Sequence, residues 1–526
     1  MTTRRPLILA ALLLSAFAIN LDTTIVNVAL PTLVRELHAS NSQLQWIVDA
    51  YNLVFASLLL AAGSLSDRAG RKGTLLAGLA LFGSASLAGG FASSSGQLIA
   101  ARCLMGLGAA LVFPSTLSLI SNVFTERTER ARAIGLWGAT AGMAIALGPI
   151  FGGWLLERFS WSSIFFAMAP VALLAGVLVA RTVPTSRDPA APRADRPGLL
   201  LSTAAMALLV FTIIEAPDYG WGSARTLAGI AAAGALGAGF FAWERRTAEP
   251  MLDLELFRNP RFTAACAAVT VSFFTLFGFI FLMTQYFQFI KGYGPLSAGV
   301  HLLPVACSVG VASVLGTRAA VRFGTKLVVT GGLVLVTCFY LWVATASAAT
   351  SYLTIALQMV VYGVGMGLTS APATEAIMGA VPRAKAGVGS AVNDATRLLG
   401  GTLGVAVIGS VFASVYASRL AARLPAATPR RVAGAAETSV GAAFETAQRL
   451  AASGHELLAG ALHAGAGDAF IQGLRVGCLV AAGVAVAGAA LAAAKLPAQP
   501  LQIEPPVEPE PRAPAVCAGQ LAVEEA

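Results

Sequence analysis

Charge is scarce in this sequence. Asp, Glu, Lys and Arg make up 12% of its 526 residues, against about 25% in soluble domains, which excludes a solvated globular surface for most of the chain. Histidine is scarcer, with four residues, and no nucleophile stands with a base or a metal cluster, so an enzyme lacks its constellation. The six cysteines form no CxxC pair. Five of them, Cys103, Cys266, Cys307, Cys338 and Cys478, fall inside apolar runs and are expected as buried free thiols, and Cys517 lies in a polar tail. Neither disulfides, a metal site nor a cofactor is implied. The net charge of +9 is spread in small clusters between apolar runs, with no single basic patch interleaved with aromatics, which argues against nucleic acid.

What is present is apolar. Hydrophobic residues make up 56% of the chain, with a mean hydropathy of +0.74. A window of membrane-spanning length finds segments at 7–29, 44–65, 73–92, 97–120, 132–155 and 163–182, then 198–216 and 225–243, then 262–286, 297–319, 327–347, 352–376, 388–414 and 471–494. The expectation is an all-α integral membrane protein with fourteen spans arranged as six, two and six. Its parts would be a block over 1–182, a linker with two extra helices over 183–261, and a second block over 262–495. Within the second block, 417–470 is a long Ala-, Arg- and Glu-containing segment outside the membrane, part of which suits an amphipathic surface helix without a transport role. The Pro- and Glu-rich tail over 496–526 is expected to be disordered. Arg4 and Arg5 before an apolar run imitate a secretory signal, but the run is too long, carries Asp22 and lacks a small-x-small cleavage site, so it reads as a retained first span.

The distribution of basic residues tests this count. With fourteen spans, 23 of the 35 Lys and Arg fall on the side of the amino terminus, whereas the short loops of the other side hold only Arg35, Arg158, Arg225 and Lys291. By the positive-inside rule both termini are expected in the cytoplasm. A faint internal repeat joins the two blocks: Arg68, Gly70 and Lys72 after the second span recur as Arg322, Gly324 and Lys326, although Val321 stands where Asp67 would be. Duplicated bundles with a site between them suit alternating access.

Ionisable groups inside spans are expensive and mark pathways or partners. Asp22 lies about 24 Å from the inner surface at 1.5 Å per residue, and Asp49 and Arg102 lie about 8 Å from the outer one, so all three share the outer third of the membrane. We expect Asp22 to face Arg102 across the bundle interior with Asp49 sharing the site. A motion that separates the pair would let a carboxylate take a proton, and a static ion pair between two helices is the alternative. Asp394 and Arg397, three apart on one helix, and Glu375 after Pro372 are candidate contacts for a cationic substrate, although the first two also suit a mutual pair. The loop Gly63, Asp67, Arg68, Gly70, Arg71 and Lys72 places a carboxylate among basic residues at a helix end, which suits a latch that makes and breaks between conformations. In the fifth span, Gly138 with Gly142 and Gly148 with Gly152 repeat small residues four apart, joined by Pro149 and Gly153, a pattern for close helix approach and a bend.

These motifs resemble the major facilitator superfamily, and within it the fourteen-helix drug:proton antiporters. GSLSDRAGRKGTL (63–75) is similar to the superfamily's loop motif, LDTTIVNVALP (21–31) to the first-span motif of the fourteen-helix branch, and GPIFGG (148–153) to the antiporter motif of the fifth span, with Ala144 where the family has a further glycine. Arg102 falls where the fourth-span motif has its arginine. The resemblance implies two six-helix bundles plus two linker helices, and export of drugs or other amphipathic small molecules across the cytoplasmic membrane in exchange for protons, with Asp22 and Arg102 in coupling. Membrane lipid and protons would be its other partners. An exporter dedicated to one endogenous metabolite, or a non-transporting sensor, would carry the same pattern. The oligomeric state is not legible, and a monomer is the working expectation. Arg outnumbers Lys 30 to 5, the bias of a GC-rich bacterial genome.

Overall fold

The computed structural model describes residues 5–187, 195–247, 250, 252–381, 386–425 and 428–498. Among them run α1 (Arg5–Ile25), α2 (Leu30–Leu37), α3 (Asn41–Ala69), α4 (Arg71–Gly90), α5 (Ser95–Val123), α6 (Arg127–Arg158) and α7 (Ser163–Thr182). The middle pair is α8 (Arg196–Tyr219) and α9 (Ala224–Glu244). There follow α10 (Pro260–Gln285), α11 (Pro295–His301), α12 (Leu303–Phe323), α13 (Thr325–Val343), α14 (Tyr352–Ala380), α15 (Ala386–Ala421), α16 (Arg430–Glu437), α17 (Val440–Ala452) and α18 (Glu456–Lys495).

Thirteen of the described segments are long and apolar enough to cross a membrane, and α3 supplies a fourteenth as two pieces, Asn41–Leu59 and Ala61–Ala69, meeting at 57°. The expected count stands, with α1 and α2 forming one span and α11 and α12 another. Local chemistry sets many starts. Ser40 caps α3 in a reciprocal box with Gln43, and Ser94, Asp195, Ser223, Asn259 and Ser351 each accept a hydrogen bond from a backbone N–H in the first turn of the helix that follows. In lipid these bonds replace water that the first-turn donors would otherwise lack.

The repeat foreseen in one short loop extends into the backbone. Gly70 between α3 and α4 has φ +115°, and Gly324 between α12 and α13 has φ +89°, each donating its N–H to the carbonyl four residues back. The next helix crossings also correspond. A Cβ at Gly78 on α4 would stand 2.9 Å from the carbonyl oxygen of Gly108 on α5, and one at Gly332 on α13 would stand 2.7 Å from that of Gly365 on α14. Both blocks therefore bring two helices into backbone contact at the same place in the topology.

The helix ends carrying Arg68, Arg71, Lys72, Arg322 and Lys326 define a basic face of the bundle; the opposite end is the far face. At the far face the two blocks meet directly. Gln45 on α3 accepts a hydrogen bond from Ser410 on α15 at 3.0 Å, Gln288 donates to the carbonyl of Val28 at 2.9 Å, and α6 packs against α11.

Segment 417–470 departs from expectation. Helix α15 runs on to Ala421 and α18 begins at Glu456, so both project beyond the apolar runs that were legible. Between them α16 and α17 are docked: Ala436, Val440, Ala443 and Ala447 are buried, the hydroxyl of Tyr416 donates to the carbonyl of Ala436, and Asn41 N–H donates to Thr438. Its Ala-rich face packs against protein where a solvated or membrane-surface helix was expected. The cysteines also divide: Cys266 and Cys478 are buried, whereas Cys307 and Cys338 are exposed on the helix surface. The tail beyond residue 498, including Cys517, lies outside the described residues.

Candidate functional site

Asp22 and Arg102 meet inside the first block. Arg102 on α5 donates through Nη1 to Oδ2 of Asp22 on α1, and both residues are fully buried. Two further contacts hold the guanidinium in place. Its Nε donates to the carbonyl of Ile47 on α3 at 2.9 Å, and its Cζ lies 4.3 Å from the centre of the Tyr51 ring, whose hydroxyl donates to the carbonyl of Ile19. The planar fork thereby ties α1, α3 and α5 together, a geometry a lysine lacks. Asp22 Oδ1 and Arg102 Nη2 are buried without a hydrogen-bond partner, so the pair leaves one acceptor and one donor unused.

Asp49 makes no hydrogen bond to this pair. Both its carboxylate oxygens are buried without a hydrogen-bond partner, as are both polar atoms of the Asn52 side chain. Gln45, Asp49 and Asn52 recur on α3 at helical spacing, which puts them on one face, and Gln45 reaches Ser410 on the second block. Gln45 and Asn52 carry no charge, so ionisable groups alone leave this polar face of an apolar span unmarked.

A cavity of about 660 Å³ lies between the blocks. The first block lines it with Asn20 and Thr23, which flank Asp22 in sequence, and with Phe55, Phe113 and Trp137; the second lines it with Phe273, Phe277 and Met366. Glu375, Asp394 and Arg397 also line it. Arg397 stands 3.9 Å from Asp394, too far for a hydrogen bond, and donates instead to the hydroxyl of Thr374 at 3.1 Å, which in turn donates to Asn393. Glu375 Oε2 has no hydrogen-bond partner. The space is thus an aromatic box with two carboxylates and one guanidinium on a single side.

Gly138 and Gly142 line this cavity, and a Cβ on either would meet nothing within 4 Å. They leave room for a ligand rather than for a neighbouring helix, which corrects the packing role expected of them. The lower half of the same motif does pack. A Cβ at Gly148 would stand 2.1 Å from Thr24 Oγ1, one at Gly152 would stand 2.9 Å from the Ile25 carbonyl, and one at Gly153 would stand 2.6 Å from the Pro295 carbonyl on the second block. The segment around Pro149 therefore touches α1 on one side and the other block on the next.

At the basic face, Asp67 Oδ1 accepts from Arg71 Nε at 2.6 Å, Arg71 N–H donates to the Ser186 carbonyl, and Lys72 Nζ donates to the Ala180 carbonyl at 2.8 Å. Gly63 lies 3.7 Å, through a built Cβ, from Pro114, and Arg68 is exposed. These contacts all fall within the first block and the chain leaving it. Among the described residues no group of three His, Cys, Asp or Glu is placed to hold a metal ion.

Residues 12–405 match the sequence profile of the Major Facilitator Superfamily. The chain belongs to this superfamily. It is 37% identical over 461 residues to the multidrug efflux pump LfrA of Mycolicibacterium smegmatis, covering 87% of this chain and 91% of that one. It is also 37% identical over 398 residues to the multidrug resistance protein Stp of Mycobacterium tuberculosis, covering 76% and 74%. Among solved structures, a bacterial homologue of the human lysosomal transporter Spinster superposes with a TM-score of 0.66 at 15% identity, over 94% of this chain and 97% of that one. A major facilitator protein of this kind is a multi-pass membrane transporter and not an enzyme.

Within this superfamily the structure adds residues that the sequence left unmarked: Tyr51, which supports the guanidinium, and Trp137, whose indole donates to Thr116 beside the cavity. Both are aromatic residues in apolar spans, and only their neighbours distinguish them from lipid-facing ones.

Proposed function

We propose that the protein exports amphipathic small molecules, drugs among them, across the cytoplasmic membrane in exchange for protons, with the basic face and both termini in the cytoplasm. The observation that carries this reading is the fully buried Asp22–Arg102 pair, with one unused oxygen and one unused nitrogen, directly behind the cavity-lining residues Asn20 and Thr23. A proton on Asp22 removes its attraction for Arg102; a vacated carboxylate restores it. Coupling follows when substrate in the cavity and proton on Asp22 favour opposite conformations.

The conformation supports alternating access by what it closes. Gln45 with Ser410, Gln288 with Val28 and α6 with α11 seal the far face, so the cavity belongs to an inward-facing state. Asp67 is engaged by Arg71 within its own loop, the released position of a latch that would reach the second block when the basic face closes. The aromatic walls suit a flat apolar body, and Glu375 and Asp394 suit a cationic group on it. Asp49, buried at a polar face toward the seam, is a second candidate proton site.

The resemblance to LfrA and Stp, named for multidrug efflux and resistance, supports export of drug-like compounds. The test is proton release from proteoliposomes. With a pH-sensitive dye inside, adding a lipophilic cation such as ethidium should move protons against the cation in native protein, and no substrate-dependent proton movement would overturn antiport.

A further inference from the structure

A second, larger cavity lies behind the seam between α3 and α15, on the side of the extra helix pair. It has a volume of about 1,660 Å³ and is walled by α3, α8, α9, α10 and α15. Its far-face end is closed because the hairpin is fastened there to both blocks. Trp46 on α3 donates to Glu215 on α8, Trp221 donates to Ser414 on α15, and Leu53, Val210, Ile214 and Ala406 form one buried cluster. Toward the basic face the space lies between Ala56 and Leu399, which both line it.

The chemistry of this groove changes along its length. Its deep part is apolar, with Ala56, Met206, Leu209 and Ile230, and its mouth carries the exposed side chains of Arg245, Glu255 and Arg258 together with the half-buried Asp253 and the buried Glu244, which accepts from the Leu252 N–H. The mouth lies at the height of a membrane interface, since Trp243 on α9 donates its indole N–H to Asp195 there, the placement expected of an interfacial tryptophan. The volume exceeds the roughly 300–1,000 Å³ of drug-sized sites, so a small molecule would leave much of it empty. A long apolar body under a head carrying both charge signs fits it.

We propose that this groove holds one phospholipid of the leaflet on the basic face, of the kind whose head carries a phosphate and a primary ammonium. Arg245 and Arg258 take the phosphate, Glu255 takes the ammonium, and the acyl chains lie along α8 and α9 behind the seam. The lipid fills the space that opens when α3 and α15 part at the basic face, so the extra helix pair acts as a holder for a lipid wedge. This site is separate from the transport cavity: Asp394, Arg397 and Leu398 of α15 face that cavity, and Ala395, Thr396 and Leu399 face the groove.

Native mass spectrometry of the full-length protein in mild detergent, titrated with phosphatidylethanolamine or phosphatidylglycerol, tests the proposal. One phosphatidylethanolamine is expected to bind about tenfold more tightly than phosphatidylglycerol, which lacks the ammonium, and Glu255→Gln should erase that preference. Gly237 lines the groove and a Cβ there meets nothing within 4 Å, so Gly237→Trp fills the space without a backbone clash and should lower occupancy about tenfold. The surface change Arg245→Ala, which leaves the packing intact, should weaken both lipids. Equal binding of the two lipids, or undiminished lipid on Gly237→Trp, would overturn the proposal. Displacement of the lipid by ethidium would also overturn it, making the groove a vestibule for substrate. None of these readouts depends on proton coupling, so they fail or succeed apart from the antiport reading.

Discussion

Gly299 on α11 lies so close to Pro149 on α6 that a Cβ at Gly299 would stand 2.3 Å from the Pro149 carbonyl oxygen. This contact joins the two blocks at the far face, and it uses the proline of the motif that resembles an antiporter signature. Space for no more than a hydrogen is left between two backbones, so closure there depends on glycine.

Gly299→Val is therefore expected to hold the far face open while leaving each block folded. Spin labels on α6 and α11 should show a longer distance population in the variant, and transport should fall at least tenfold. Unchanged distances would mean that the far-face seal does not depend on this approach.

Arg102 makes separable contributions. Arg102→Ala leaves Asp22 buried without its partner and should lower stability by about 3–5 kcal/mol. Arg102→Lys keeps the charge but loses the bond to Ile47 and the flat contact with Tyr51, so about 1 kcal/mol is expected. Asp22→Asn combined with Arg102→Gln should be less damaging than the sum of the single changes. Thermal melts of the purified variants in detergent check the order.

Gly70 and Gly324 sit in the left-handed region at matching turns. An alanine at either pays backbone strain of about 1–3 kcal/mol, and the two changes should be similar in size if the blocks are true repeats. A much larger transport defect for Gly70→Ala at equal stability would place the latch function in the first block alone, where Asp67 is; the measurement is transport normalised to folded protein.

Glu375→Gln and Asp394→Asn remove the carboxylates from the cavity wall. For a lipophilic cation such as ethidium, each should raise the apparent KM about tenfold, equivalent to about 1.4 kcal/mol, whereas a neutral substrate should be little affected. Equal effects on both would make the two residues part of the folding or coupling apparatus instead of a cation contact.

Much of the architecture was legible because lipid imposes simple rules. Fourteen apolar runs became fourteen spans, and scarce charged residues at one depth mark Asp22 and Arg102 as partners. What was hidden followed from neighbours that sequence spacing does not name. Gly138 and Gly148 belong to one repeating pattern, yet the first borders empty cavity and the second touches Thr24, a difference set by where α1 crosses α6. Asp49 shares the depth of the pair but makes no hydrogen bond to it, because depth fixes height along a helix and not direction around it. The docking of α16 and α17 escaped notice for a related reason: alanine faces are weakly apolar, and their burial depends on a partner surface.

The central claim is that Asp22 carries the proton that drives export. The most direct test is ethidium movement into inverted membrane vesicles under an imposed pH gradient, comparing native protein with Asp22→Asn at matched amounts of folded transporter. The account predicts that the variant still binds ethidium but loses gradient-driven accumulation. Native accumulation rates in Asp22→Asn would contradict it.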